Sequence, residues 1–313
     1  MITFKNLNIV KNAENQRVDI ARQINLTINN ASSFALIFQS RSQVQDFTLG
    51  LSSYAYLEDY VLSGQYLIDE VDVANPLTLK NRLATEYQVQ VIEPSLFDVF
   101  NQTKKINYIV RFQLKQRGGS DSEIVDDFLS FVNLDKSILD ARLSEISNFE
   151  KIKLQLLVAM LTQVRFMILE ELEVHLDDAE LDEVLNILRQ YQVNSGACCL
   201  FATTDFSWGI DNCNLIGLIQ SGLLLESGST IEIDRRASHP LTLAVKQNQF
   251  PKSSSPLGCP YAIDCRAKVR VSENFCTTTL PVSVSLTDTH MVRCHLSAEE
   301  RSAYHSEVNN DNR

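Results

Sequence analysis

The chain has 313 residues, 44% of them hydrophobic and 21% charged, with a net charge of −11. That acidity argues against a nucleic-acid surface, and no uninterrupted apolar run reaches the roughly 20 residues of a membrane span. With only 10 glycines, about half of ordinary usage, little backbone is free for left-handed turns or for close approach to phosphate.

The length suits one large α/β domain with an extension, or two domains. The opening Met1-Ile2-Thr3-Phe4-Lys5-Asn6 lacks a basic region followed by an apolar core, so no signal peptide is expected and the chain is placed in the cytoplasm. Residues 2–10 and 18–28 alternate apolar and polar positions, which predicts antiparallel strands. After a turn at 29–33 comes a short apolar strand at 34–38, a polar turn, and a helix over 44–54. Residues 60–69 read as strand, Ser-Gly turn, strand, and Val89-Gln90-Val91-Ile92 as a strand ended by Pro94. From about 95 to 150 the pattern is helical, with a loop at Gly118-Gly119-Ser120-Asp121-Ser122.

A strong helix follows at 150–163, with Ile152, Leu156, Ala159 and Met160 on one face. Phe166-Met167-Ile168-Leu169 is uniformly apolar, as in a strand of a parallel sheet covered on both sides. It ends in Glu170-Glu171. Asp177 or Asp178 can cap the next helix, whose stripe is Leu181, Val184, Leu185 and Leu188. Ala197 to Ala202 is another buried strand, and 214–226 a hairpin turning at Ser221-Gly222. Beyond Arg236 the composition shifts to Pro, Ser and Cys, and the polar residues 297–313 are expected to be disordered.

The stretch from Phe34 to Leu51, with Val44, Phe47 and Leu51 at helical spacing, has the layout of a phosphate-binding loop. Its chemistry is missing. Where G-x-x-x-x-G-K-[ST] requires Gly, Gly, Lys and Ser/Thr, the chain has Phe38, Gln43, Val44 and Gln45. Of the seven cysteines, Cys198, Cys199 and Cys213 fall in or near an apolar strand and read as buried and inert. Cys259, Cys265, Cys276 and Cys294 form a second group which, in a cytosolic protein, suggests metal more than disulfides.

In its order of elements the chain resembles the ATP-binding subunits of ABC transporters. The segments His239-Pro240-Leu241-Thr242-Leu243-Ala244-Val245 and Gly258-Cys259-Pro260-Tyr261-Ala262-Ile263-Asp264-Cys265, then Cys276 and His290-Met291-Val292-Arg293-Cys294-His295, are similar to the tail of the oligopeptide/dipeptide subfamily. Glu150 and Lys153 in the signature region resemble the Sap-type antimicrobial-peptide uptake systems within it. The resemblance implies an α/β P-loop NTPase of the ABC nucleotide-binding type over 1–235, with a helical subdomain about 95–155, a Cys-containing C-terminal extension over 236–296, and the disordered tail 297–313.

By the same resemblance Gln39, Ser40, Arg41, Ser42, Gln43, Val44 and Gln45 occupy the Walker A position. Val44 stands where the family has its lysine and Gln45 where it has the magnesium-binding hydroxyl. Each lost charged hydrogen bond is worth roughly 1.5–3 kcal/mol, and each side chain at a left-handed glycine position about 1–2 kcal/mol. Together these imply about three decades of lost affinity, with Arg41 the one replacement cation in the loop. Ile92 falls at the Q-loop position. Glu170 replaces the Walker B aspartate, Glu171 takes the general-base position, Asp177 the D-loop position and Thr204 that of the switch histidine. Glu170-Glu171 read equally as the charged end of a buried strand. Ser147 is the signature serine, although its spacing to Glu150 equally marks a helix-capping box, and Asp177 reads equally as an N-cap.

The tail of the resembled subfamily implies a [4Fe–4S] cluster on Cys259, Cys265, Cys276 and Cys294, with zinc or four free thiols as the alternatives and His290 and His295 as possible substitutes. The function implied is a degenerate ATP-binding subunit of a peptide importer. It pairs with a competent homologous ATPase subunit on two transmembrane permeases at the inner face of the membrane, with ATP/Mg bound weakly or held by the partner. Peptide is met only through the permeases. The alternative is a non-catalytic scaffold or regulatory protein with a metal- or redox-responsive cysteine cluster.

Overall fold

A computed structural model describes residues 1–313 except 14–15, 53–59, 74–87, 98–100, 117–121, 252–253, 256, 273 and 311–313. The described strands form two sheets. A four-stranded antiparallel sheet has the order β2-β1-β4-β5, from β1 (Ile2–Ala13), β2 (Gln16–Ile28), β4 (Tyr60–Ile68) and β5 (Val71–Asp72). An eight-stranded sheet has the order β11-β12-β10-β9-β3-β8-β7-β6. Its parallel part comprises β3 (Ser33–Ile37), β6 (Val89–Ile92), β7 (Phe166–Glu170), β8 (Cys198–Thr203) and β9 (Leu215–Gln220). Strands β10 (Leu223–Ser229), β11 (Ser283–Ser285) and β12 (Met291–Arg293) continue it antiparallel.

The period-2 alternation of strands divides the apolar residues between two cores. Phe34, Leu36, Phe166 and Ile168 point toward the four-stranded sheet and helix α1 (Arg41–Leu51), which lies between the sheets. Ala35, Ile37, Met167 and Leu169 point the other way, onto the helical side. That side is built from α2 (Ile106–Gln116), α3 (Ser122–Phe131), α4 (Asn148–Leu161), α5 (Asp178–Ser195) and α6 (Phe206–Asn212). Helix α5 starts at an Asp177 capping box with Glu180 and stops at Gly196, whose left-handed φ of 71° closes the turn.

Three readings are corrected. Residues 60–69 are one strand, not two, because Gly64 is absorbed into an irregularity in the pairing with β1. Its φ is 87°, and a Cβ there would lie 2.1 Å from the Asn6 carbonyl oxygen, so only glycine fits. Helix α1 begins at Arg41 rather than at 44. The polar residues from Ala298 to Asn310 are helical, not disordered: Ser297 and Glu300 exchange cap hydrogen bonds and Arg301 is buried. This last helix packs on α8 (Pro240–Lys246), which follows α7 (Thr230–Arg236), and is called α9. The loop expected at 118–122 lies, except for Ser122, outside the described residues.

Candidate functional site

The site lies at the carboxyl ends of β3, β7 and β8, where open α/β sheets place their ligands. A phosphate loop uses glycine backbone to wrap an anion before its helix begins. Here none of residues 38–45 has a positive φ. The chain therefore turns directly into helix: Ser40 is the extended N-cap, and its carbonyl accepts from the N–H groups of Gln43 at 3.1 Å and Val44 at 3.2 Å. The Gln39 N–H is taken by the Gln43 side chain at 3.2 Å. The Gln39, Gln43 and Val44 N–H groups are thus satisfied inside the loop. Val44 is fully buried with Phe38 and Phe47 in the core between the sheets, while Ser42 and Gln45 lie on the exposed face of α1. Gln39 reaches outward and donates to the Pro251 carbonyl at 3.1 Å.

Three of the residues singled out in the sequence meet. Arg41 Nε donates to Glu171 Oε2 at 2.6 Å, and Thr204 Oγ1 donates to Glu171 Oε1 at 3.3 Å. Glu171 is buried at the head of a single helical turn, Leu172–His175, and its φ of 42° is left-handed. Both carboxylate oxygens at the general-base position are therefore occupied by the chain's own side chains. Arg41 is held more basic than usual by the hydrogen bond and charge of Glu171.

Glu170 turns elsewhere. It accepts from Thr48 Oγ1 of α1 at 2.6 Å, and burial pushes its carboxyl up to about 7. Such a carboxyl keeps its proton well above the usual carboxylate range when no cation lies beside it. Thr48 and Glu173 were missed in the sequence. Thr48 stands one helical turn after Val44 and reaches Glu170 only because α1 packs on β7; Glu173 is raised by burial and bonded by Thr203, which the pairing of β7 with β8 brings alongside.

The remaining expected site residues stand apart from this cluster. Among the described residues, Ser147 bonds only in the N-cap of α4, accepting from Glu150 N–H at 3.2 Å, and Asp177 only in the N-cap of α5. Ile92 is the last residue of the edge strand β6 and is completely buried. Beside it, the Glu93 backbone exchanges two hydrogen bonds with the Gln155 side chain of α4.

Cys198, Cys199 and Cys213 are buried and their thiols are pushed up by burial, as expected of inert cysteines. Burial raises Cys259 to about 12 and Cys265 and Cys294 to about 11, and neighbouring cysteines of the group raise each of the three further. Among the described residues no group of three or more His, Cys, Asp or Glu is arranged to hold a metal ion. Nor do the histidines serve as ligands: His290 bonds Glu226 at 2.7 Å in the interior, and His295 Nε2 bonds the Thr279 carbonyl at 2.8 Å.

No family model matches the chain. Among solved structures, cbiO1 from Clostridium perfringens, described as part of the ABC transporter complex cbiONQ, superposes with a TM-score of 0.61 at 15% identity, over 79% of this chain and 95% of that one. The dimeric bacterial ABC transporter cassette MJ0796 gives 0.61 at 13% identity, over 74% and 99%. The chain has the ABC-type ATPase cassette fold.

In sequence this cassette is similar to ATP-binding subunits of ABC transporters. It is 26% identical over 266 residues to the methionine import ATP-binding protein MetN 1 of Shouchella clausii, covering 83% of this chain and 72% of the relative. To MetN 2 of Acinetobacter baylyi it is 25% identical over 249 residues, covering 77% and 70%. No helix among the described residues is long and apolar enough to cross a membrane.

Proposed function

We propose that this cassette is the non-hydrolysing ATP-binding subunit of an ABC importer, working beside a homologous subunit whose own phosphate loop is intact. The observation that carries the reading is the Arg41–Glu171 pair. A charged side chain from the degenerate loop is spent on the general-base glutamate, and Val44 supplies no ammonium for phosphate. Two transmembrane permeases at the inner face of the membrane complete the assembly. The names of the relatives give methionine import. The His239–Val245 and Gly258–Cys265 segments support a peptide as the cargo, and a transport assay comparing methionine with short peptides separates the two.

In this reading Ser147 does two jobs, capping α4 and facing nucleotide held by the partner. Asp177 likewise caps α5 beside the subunit interface. The test is ATP turnover by the assembled transporter. Removing the lysine of the partner's phosphate loop abolishes turnover, whereas Glu171→Gln in this chain leaves it within about twofold. Loss of turnover on Glu171→Gln would show that this chain hydrolyses ATP itself.

A further inference from the structure

A basic cleft lies between the end of the cassette and the last helix. About 470 Å³ in volume, it is lined by Arg235, Arg236 and Ser238 at and just after the end of α7, and by Arg301, Ser302 and His305 on α9. Among the described residues no carboxylate lines it. Arg301 and His305 are four residues apart, which places them on one face of α9.

Guanidinium groups brought together in an acidic protein would be expected to recruit carboxylates. The neighbouring ones are committed elsewhere. Asp234 pairs with Lys246, Glu307 with Arg270, and Glu226 takes the N–H groups of Ser238 and His239 as well as His290. Among the described residues, Arg235, Arg236 and Arg301 make no ion pair, although Glu299 is near enough to feel the charge of Arg301. Arg301 is only 8% exposed, and Nη1, which donates to the Leu296 carbonyl, is the one guanidinium nitrogen of its side chain with a hydrogen bond. The charge left over is positive, concave and partly dehydrated. That is the setting in which a planar guanidinium favours phosphate over water.

We infer that this cleft binds a small phosphate-bearing anion, gripped by Arg235 and Arg236 of the cassette and by Arg301 of the C-terminal helix. The volume suits a ligand of one or two phosphate groups with a small substituent. Because the arginines come from two segments, a bound anion fastens α9 to the end of α7. The site is separate from the loop at Arg41, and nothing in its recognition requires nucleotide hydrolysis.

The experiment uses the full chain. Inorganic pyrophosphate is titrated by calorimetry at low salt, with a chelator present so that no magnesium complex forms. Saturable binding of one equivalent is expected, and Arg235→Gln with Arg236→Gln together weaken it at least tenfold. Both side chains are exposed, so the double variant should melt like the parent without ligand. Arg41→Gln leaves pyrophosphate binding unchanged. A parallel arm sediments the chain with phosphatidylglycerol vesicles. Sedimentation lost in the double variant, without pyrophosphate binding, assigns the phosphate to a lipid headgroup. The inference is overturned if neither probe binds, if the double variant binds as the parent does, or if Arg41→Gln abolishes the binding.

Discussion

The Arg41–Glu171 contact can be removed by Arg41→Gln, which leaves a carboxylate that is 3% exposed with only the Thr204 hydroxyl at 3.3 Å. Opposite charges whose centres lie about 4 Å apart interact by about 4 kcal/mol at an effective dielectric of 20. The Arg41 side chain, however, is 56% exposed, so water already screens much of that attraction. Stranding a fully buried partner costs about 3–5 kcal/mol. Discounted for the wet arginine, the loss should be about 2 kcal/mol, or a fall in melting temperature of about 3 °C for a chain of this size. Urea denaturation of the parent, Arg41→Gln, Glu171→Gln and the double variant reads this directly. A neutral amide at 171 needs no cation, so the double variant should recover about 1–2 kcal/mol relative to the sum of the single losses, with less recovery at high salt. Additive losses within about 0.5 kcal/mol would refute the view that the pair closes the site.

Ser147→Ala should cost about 1 kcal/mol through loss of the α4 cap, and Ser147→Asp should restore it; thermal melts of the isolated chain check both. Glu170 gives a pH signature. Its folded carboxyl stands at about 7 against 4.5 when unperturbed, so the native state keeps a proton that the unfolded chain has released. Stability therefore falls as pH rises between those values, by about 3 kcal/mol in total, and Glu170→Gln should flatten the curve in denaturation at about pH 5 and about pH 8. An unchanged curve would place Glu170 in contact with water. Glu226→Ala leaves the N–H groups of Ser238 and His239 without their acceptor in the interior and should cost about 3–5 kcal/mol. Limited proteolysis should then cut first in the segment after Arg236; cutting no faster than in the parent would contradict a role for Glu226 in docking the extension.

The central strands were legible because β3, β7 and β8 are apolar on both faces, and helix α5 because Asp177, the Leu181–Leu188 stripe and Gly196 all agree. The start of α1 was misplaced because the phosphate-loop layout predicts a loop that only glycine can form. With side chains at 38, 41 and 43 the backbone runs into helix early. Ser63-Gly64 carries a turn signal, yet cross-strand pairing on β1 overrides it. Helix α9 has no apolar stripe to announce it, since its buried anchor is an arginine. The Arg41–Glu171 contact joins residues 130 apart, which local pattern cannot foresee. Spacing and the resemblance of the tail made the four later cysteines look like a ligand set; among the described residues no ligating group of three or more side chains is found there.

The most direct measurement is equilibrium binding of labelled ATP with magnesium to the purified chain alone. The account predicts affinity weaker than that of an intact cassette by about three decades, with no turnover. Tight Mg·ATP binding that is lost on Arg41→Gln would contradict it, because Arg41 would then be serving phosphate rather than Glu171.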